Sequence, residues 1–241
     1  MRGRLGRYLL WQARDYAVER GAATLIVAGL LVLFALQTVG PGAPDAFRSG
    51  VAATEALAGF LLAFAPLATL IAVNGIVAND RRFHYFRFLF SKPVSAARYY
   101  AQTFLVSWAG TVAAAGLFVV TYGLVIHPVR LEGPLLFVTL YFLVFGGLGF
   151  LLSAVTRFDW MLLGIIWMLS LLARGFFPPD DGKLARVIDI ILPPSHHLTL
   201  LAGTMVRGDV GSHHVMLWTI GYGITTFVLG LVAIHYRPLA A

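Results

Sequence analysis

The sequence predicts an all-helical membrane protein. Of its 241 residues 59% are hydrophobic, and the mean hydropathy is +0.81, well above the range of ordinary globular domains. Six apolar blocks reach or approach the roughly 20 residues that a helix needs to cross a bilayer: 21–39, 51–77, 104–126, 134–155, 160–177 and 215–236. They are too long for strands and lack the alternation of a β-barrel. We therefore expect one transmembrane domain over residues 1–241, with six spans and no sizeable soluble domain.

The segment before the first block predicts an interfacial helix. One of its faces is apolar and the opposite face is basic: Leu5, Leu9, Ala13 and Tyr16 against Arg7 and Arg14. Such a helix lies in the headgroup layer and leads into span 1. No small-x-small cleavage pattern follows the first block, so we expect it to remain as a span.

Basic residues set the orientation of the spans. Twelve of the 18 Lys and Arg residues lie in the N-terminal segment, the connection after span 2, the turn after span 4 and the C-terminal segment. With the acidic residues included, that side carries +8 and the other side −1. The positive-inside rule therefore places both termini in the cytoplasm. Attraction to anionic lipid accounts for the excess charge, and no nucleic-acid partner is expected.

The connection between spans 5 and 6 is the one long outer segment. Apolar residues recur with helical spacing from Leu184 to Ile191, and Pro193 ends that pattern. Ser195 is a candidate cap for a second short helix, from His196 to about Met205. Two short apolar helices just before the last span predict a re-entrant or interface-lying hairpin.

Two polar residues within span 2 are candidates for a translocation path or gate. Glu55 lies near the outer end of the span and Asn74 near its inner end. Glu55 is alternatively an acid at the interface. Asn74 is alternatively a hydrogen-bonding partner for a neighbouring helix.

The motif content argues against catalysis by this chain. No P-loop, H-E-x-x-H or G-x-S-x-G motif occurs, and the absence of Cys removes thiolate chemistry. We therefore expect no catalytic residue, cofactor or ATP site here. Four outer histidines are either polar interface residues or ligands of copper or zinc: His196, His197, His213 and His214.

The connection between spans 2 and 3 reads NDRRFHYFRFLFSKPVSAARYY, residues 79–100. On a helical wheel three phenylalanines form one face, and the opposite face holds Asp80, His84, Arg87 and Ser91. Pro93 should end this helix, and Ser95 can cap the next one, which runs into span 3. Phe88 lies within the charged side, where an aromatic residue is typical of a protein interface.

This segment resembles the permeases of type-2 ATP-binding-cassette (ABC) exporters, near the branch of copper-enzyme maturation and related small permeases. In that family an acidic-basic pair ends span 2, an amphipathic coupling helix follows, and an S-[KR]-P-[VI]-[ST] turn leads to span 3. Asp80-Arg81 and Ser91-Lys92-Pro93-Val94-Ser95 match. Arg82 stands where the family usually has Glu, and His84-Tyr85 where it has Gly-Thr.

The resemblance implies a permease in a prokaryotic inner membrane. It would be paired with a second copy of itself or with a related permease, and bound to two cytoplasmic ATPase subunits. ATP and Mg²⁺ would be bound by those subunits. The residues implied to contact the ATPase are Asp80, Arg81, Arg82, His84, Arg87, Phe88, Ser91 and Lys92. Spans almost free of charge favour a hydrophobic, lipid-like or peptide substrate.

Other function classes fit the residues less well. A membrane anchor or assembly scaffold would use the same basic segment only to dock a partner. An intramembrane enzyme would need paired polar groups at matching depth, and a channel would need a charged ring or a filter sequence. The spans offer almost none of these.

Overall fold

The computed structural model describes residues 2–40, 49–82, 95–156, 158–176, 187, 190–209 and 212–236, with the side chains of residues 2–8, 81–82 and 174–175 left out of that description. Every regular element within these ranges is helical, which confirms the predicted fold class. The α-helices are α1 Arg2–Tyr16, α2 Ala22–Thr38, α3 Gly50–Val73, α4 Ala78–Arg82, α5 Ala96–Val125, α6 Glu132–Tyr141, α7 Gly147–Val155, α8 Asp159–Phe176, α9 Ser195–Val206 and α10 His213–Tyr236. Single π-helical segments, Ala17–Gly21 and Phe142–Gly146, join α1 to α2 and α6 to α7.

Five helical stretches in the described ranges are long and apolar enough to cross a membrane: Leu9–Thr38, Gly50–Asp80, Ala96–Val125, Glu132–Val155 and His213–Tyr236. The chain thus has the helices of a multi-pass membrane protein. The apolar part of α8, Asp159–Ala173, is shorter. Five of the six predicted blocks therefore correspond to such helices, and the six-span layout stays a prediction.

The helices pack into one bundle. Helix α2 lies against α3 and α5, α1 lies against α5, and α10 lies against α7 and the π-helical segment before it. Four phenylalanines from the stretches Ala96–Val125, Glu132–Val155 and His213–Tyr236 form a shared core. In it the rings of Phe104 and Phe227 stack with their centroids 4.4 Å apart. Phe142 and Phe150 complete that cluster.

Two helices approach closely at Gly147, one of three neighbouring glycines in the fourth apolar block. A Cβ atom there would lie 2.6 Å from the carbonyl oxygen of Gly223 and 2.8 Å from Thr226 Oγ1. The two helices approach so closely that only glycine fits at this position.

The bundle has two distinguishable ends. Residues 11–20, 74–82, 95–107 and 153–160 gather at one end, here called the basic end. Residues 49–55, 126–134 and 204–209 gather at the opposite end, where a Cβ on Gly133 would collide with the Met205 backbone. The predicted grouping of the connections agrees with this arrangement.

Two predictions about short helices have a definite outcome. The helix before the last span exists but begins at Ser195, one residue early, with Pro194 in the cap position. It packs against α6 and α3, and Leu198 and Ala202 are fully buried. The first predicted outer helix, Leu184–Ile191, lies mostly outside the described residues.

The N-terminal helix is present, and it packs against the bundle through Gln12 and Tyr16. Tyr16 is buried, whereas Leu9 is 45% exposed and Gln12 only 4%. The Gln12 amide donates to Thr103 Oγ1 at 2.9 Å, which compensates for its burial. Where the surroundings are lipid, an exposed leucine carries no penalty. The interfacial position of α1 stays a prediction.

Candidate functional site

Span 2 does not continue into the next connection as one helix. Helix α3 ends at Val73, residues 74–77 form turns, and α4 begins at Ala78. Gly75 has φ +67°, a left-handed conformation that residues with a Cβ adopt at a cost. We call residues 74–82 the junction, because they connect span 2 to the predicted coupling segment.

Side chains from the turn between α7 and α8 satisfy the amide groups that this break frees. Asp159 Oδ2 accepts from the N–H of Gly75 at 2.9 Å. Ser153 Oγ accepts from the N–H groups of Val77 and Ala78, each at 3.0 Å. Asp159 is 4% exposed, and its second oxygen accepts from Trp160 N at 2.9 Å. The break is therefore a fixed feature, since buried amides need partners.

The carbonyl groups at the same place are satisfied from the N-terminal segment. Arg20 Nη1 donates to Ala72 O and its Nη2 to Asn74 O, both at 3.0 Å. A cationic side chain at the C-terminal end of a helix also complements the helix dipole. Arg20 belongs to the π-helical segment Ala17–Gly21, and such segments are frequent at functional sites.

Asp80, the first of the predicted contact residues, is held by span 3. The hydroxyl of Tyr100 donates to Asp80 Oδ2 at 3.0 Å, and Tyr100 is fully buried near the start of α5. Arg81 and Arg82 belong to α4, and nothing of their side chains is described. The other predicted contact residues lie outside the described part of the chain: His84, Arg87, Phe88, Ser91 and Lys92.

The junction thus contacts four parts of the bundle through specific hydrogen bonds. These are the π-helical segment before α2, the start of α5, the end of α7 and the start of α8. Each of these bonds holds the junction in a fixed position relative to one part of the bundle. A displacement of residues 78–82 would be passed to all four parts.

The two residues predicted for a path or gate do not lie together. Asn74 is in the junction, where its carbonyl accepts from Arg20. Glu55 is 19 residues earlier along α3, about 28 Å away for a helical rise. It is exposed and lines an open cavity of about 620 Å³ with His127, Arg130 and Arg207. The structure therefore offers no single site formed by both.

The outer histidines are in two separate helices. His196 and His197 begin α9, with ring centroids 6.1 Å apart, and His213 and His214 begin α10. Within the described residues, no group of three or more His, Cys, Asp or Glu side chains is close enough to hold a metal ion.

Several of the residues that organise the junction were not identified from the sequence. Asp159 lies in the short connection after the fourth apolar block, Ser153 near the end of that block, and Arg20 in the basic N-terminal segment. The usable signals were Gly75 beside Asn74 near the end of an apolar block, and an acidic residue in the first turn of α8.

No protein-family model, curated protein or solved structure matches this chain.

Proposed function

We propose that this chain is the permease subunit of an ATP-binding-cassette exporter, powered by a separate cytoplasmic ATPase. The observation that carries the proposal is the junction. Span 2 is interrupted immediately before the basic, aromatic segment 83–94, and the interruption is fixed by Asp159, Ser153 and Arg20. A permease needs such a place, because force applied by the ATPase must reach several spans together.

The connections of the junction support this role. If ATPase closure pushes on the coupling segment, residues 78–82 move first. Asp80 then pulls on Tyr100 at the start of α5, while Ser153 and Asp159 carry the motion to α7 and α8. The hydrogen bond from Arg20 to Ala72 O transmits the same motion to the first span. A scaffold that only docks a partner has no need for these links.

The distribution of polar groups supports a hydrophobic, lipid-like or peptide substrate. An apolar crevice of about 50 Å³ lies between α3, the π-helical segment Phe142–Gly146 and α8. It is bordered by Pro66, Phe145 and Trp167. Two helix irregularities lie beside it: a proline inside α3, which is a common cause of helix kinks, and a π-helical turn of a kind frequent at functional sites.

The full assembly follows from the same proposal. Helix α8 is the fifth of six spans, both termini lie in the cytoplasm of a prokaryotic cell, and two permeases associate with two ATPase subunits.

Co-expression with candidate cytoplasmic ATP-binding-cassette ATPases from the same organism tests the proposal. We expect a stable complex whose ATP hydrolysis responds to lipid or hydrophobic compounds. Replacing Arg87 and Phe88 together with Ala should abolish co-purification of the ATPase, because these side chains form the predicted contact. Unchanged assembly and unchanged hydrolysis in that variant would refute the coupling segment.

A second variant separates transmission from docking. Ser153→Ala removes the acceptor of two junction amides, so we expect normal co-purification but loss of substrate-stimulated hydrolysis. Ser212→Ala, exposed at the opposite end, is the matched control. If the complex of the unmodified chain with an ATPase never hydrolysed ATP in a substrate-dependent way, the alternative function, an assembly scaffold without transport, would be favoured.

A further inference from the structure

A cavity of about 480 Å³ opens at the basic end between α1, the junction and the start of α5. Three carboxylates and three aromatic rings line it: Asp15, Glu19 and Asp80 with Trp11, Tyr16 and Tyr99. Arg20, Gly75 and Asp80 of this lining also belong to the hydrogen bonds of the junction. The proposed function uses those bonds and not the space between them, so the inference below does not depend on that function.

The charges of the cavity do not balance among the described side chains. Arg20 is the one cation lining it, and both terminal nitrogens of that side chain already donate to backbone carbonyls. Three carboxylates therefore face one guanidinium. Tyr100 satisfies one oxygen of Asp80, but no other described cation lines the cavity beside the exposed acids Asp15 and Glu19. The cavity therefore favours a cationic occupant.

Buried acceptors point the same way, independently of the carboxylates. Gln12 and Ser107 both line the cavity, and they are 4% and 0% exposed. Gln12 Oε1 and Ser107 Oγ have no hydrogen-bond partner. The Gln12 amide nitrogen donates to Thr103 Oγ1 and Tyr99 O, which fixes the oxygen as the free atom. A buried acceptor without a donor is destabilising, so an occupant that donates to it is favoured.

The chemistry of the lining selects the kind of cation. No described cluster of three ligating side chains could hold a metal ion, whereas aromatic faces attract organic cations. A primary ammonium has three N–H donors. It can serve a carboxylate and the Gln12 oxygen together, which a quaternary ammonium cannot.

The surroundings of the cavity indicate where this ammonium comes from. Trp11, Leu10 and Val18 on the same helical stretch are 50%, 70% and 71% exposed, and residues 9–38 form one apolar helix. Asp15 and Glu19 are exposed at the same level. The cavity thus opens where apolar surface meets charge, as at the headgroup layer of a bilayer.

We propose that this cavity binds a primary ammonium group, that of an ethanolamine phospholipid in the leaflet at the basic end. The bound headgroup holds α1 against α5 and lies beside Asp80 at the junction.

The test uses the full chain in nanodiscs of phosphatidylglycerol alone, or with added phosphatidylethanolamine or phosphatidylcholine. The thermal unfolding midpoint should rise with phosphatidylethanolamine and not with phosphatidylcholine, and native mass spectrometry should detect the retained lipid.

Free ethanolamine added to phosphatidylglycerol discs identifies the source of the bound ammonium group. A shift with the lipid alone assigns the site to the headgroup, and an equal shift with ethanolamine assigns it to a soluble amine. Equal midpoints in every composition overturn the site.

Variants locate the effect in the cavity. The double variant Asp15→Asn with Glu19→Gln should lower retention of the ethanolamine lipid about tenfold, the loss expected from one charge-assisted hydrogen bond. Its matched control is Asp209→Asn with Glu132→Gln, two exposed acids at the opposite end.

Gln12→Met keeps the side-chain volume and should remove the preference for ethanolamine over choline. Each variant is compared between lipid compositions, so a general loss of stability cancels. Retention unaffected by both cavity variants would also overturn the site.

Discussion

Gly75 donates its N–H to a carboxylate 84 residues further along the chain. A contact between residues so far apart in sequence could not be predicted from the sequence alone. The apolar block 51–77 predicted a continuous span, because hydropathy registers composition and not backbone continuity. The helix instead ends at Val73. Its freed amides are satisfied by Asp159 and Ser153, and partners so distant in sequence leave no local pattern.

Removing the Asp159 carboxylate should destabilise the protein. In Asp159→Ala the buried N–H of Gly75 loses its acceptor, so the free energy of unfolding should fall by about 1–3 kcal/mol. Asp159→Asn keeps one acceptor oxygen and should cost less. Unfolding in mixed micelles, titrated with dodecyl sulfate, measures both variants.

The exposed acid Asp209 provides the control for Asp159. Asp209→Ala changes the same side chain at the opposite end and should leave the unfolding midpoint unchanged. A midpoint for Asp159→Ala equal to that of Asp209→Ala would contradict the structural role of the carboxylate.

Gly75→Ala should also be destabilising, for a different reason. The left-handed conformation costs a Cβ-bearing residue roughly 1–2 kcal/mol, and the new Cβ would strike the Asn79 side chain. Adding Asn79→Ala relieves that collision but not the backbone cost, so the double variant should recover only part of the loss. Gly59→Ala, in α3 with no atom within 4 Å of its Cβ, should show no loss. Full recovery in the double variant would mean that backbone conformation contributes nothing.

At the scale of helices, the sequence located most elements and missed their irregularities. The block 215–236 corresponds to α10, His213–Tyr236, and the helix expected after Ser95 begins at Ala96. The π-helical segment Phe142–Gly146 was not predicted. It inserts one residue per turn without changing composition, and the packing of α10 against it depends on contacts distant in sequence.

The contact between α7 and α10 gives a prediction at this scale. Gly147→Ala places a methyl group 2.6 Å from the carbonyl oxygen of Gly223. Backbone cannot move aside as a side chain can, so the helices must separate, at a cost of about 1–3 kcal/mol. The same unfolding titration measures it.

Gly221→Ala is the control for that contact. Gly221 is on α10, and no atom lies within 4 Å of a Cβ built there. Its substitution should be neutral or slightly stabilising, since alanine is the better helix former. If Gly147→Ala were equally well tolerated, the two helices would not be in such close contact.

For the whole molecule, the course of α8 decides between five spans and six. The helix has 18 residues and a length of about 27 Å, close to the thickness of a hydrocarbon core. It begins at Asp159, bound to the junction at the basic end. Further along, the carbonyl of Ser170 accepts from Ser195 Oγ at 3.4 Å, and the helix that Ser195 begins reaches Gly133 at the opposite end. The chain thus passes from one end of the bundle to the other between residues 159 and 205, and we expect α8 to be part of a membrane crossing.

Single cysteines test this crossing directly, because the chain has no Cys of its own. In intact cells a membrane-impermeant maleimide should label Asp209→Cys and Ser49→Cys, which lie at the opposite end. It should reach Asn79→Cys and Glu19→Cys at the basic end only after the membrane is permeabilised. If α8 failed to cross, Asp209→Cys would share the accessibility of Asn79→Cys, and the charge-based orientation would then hold for only part of the chain. Labelling of all four variants in intact cells would refute the assignment of the basic end to the cytoplasm.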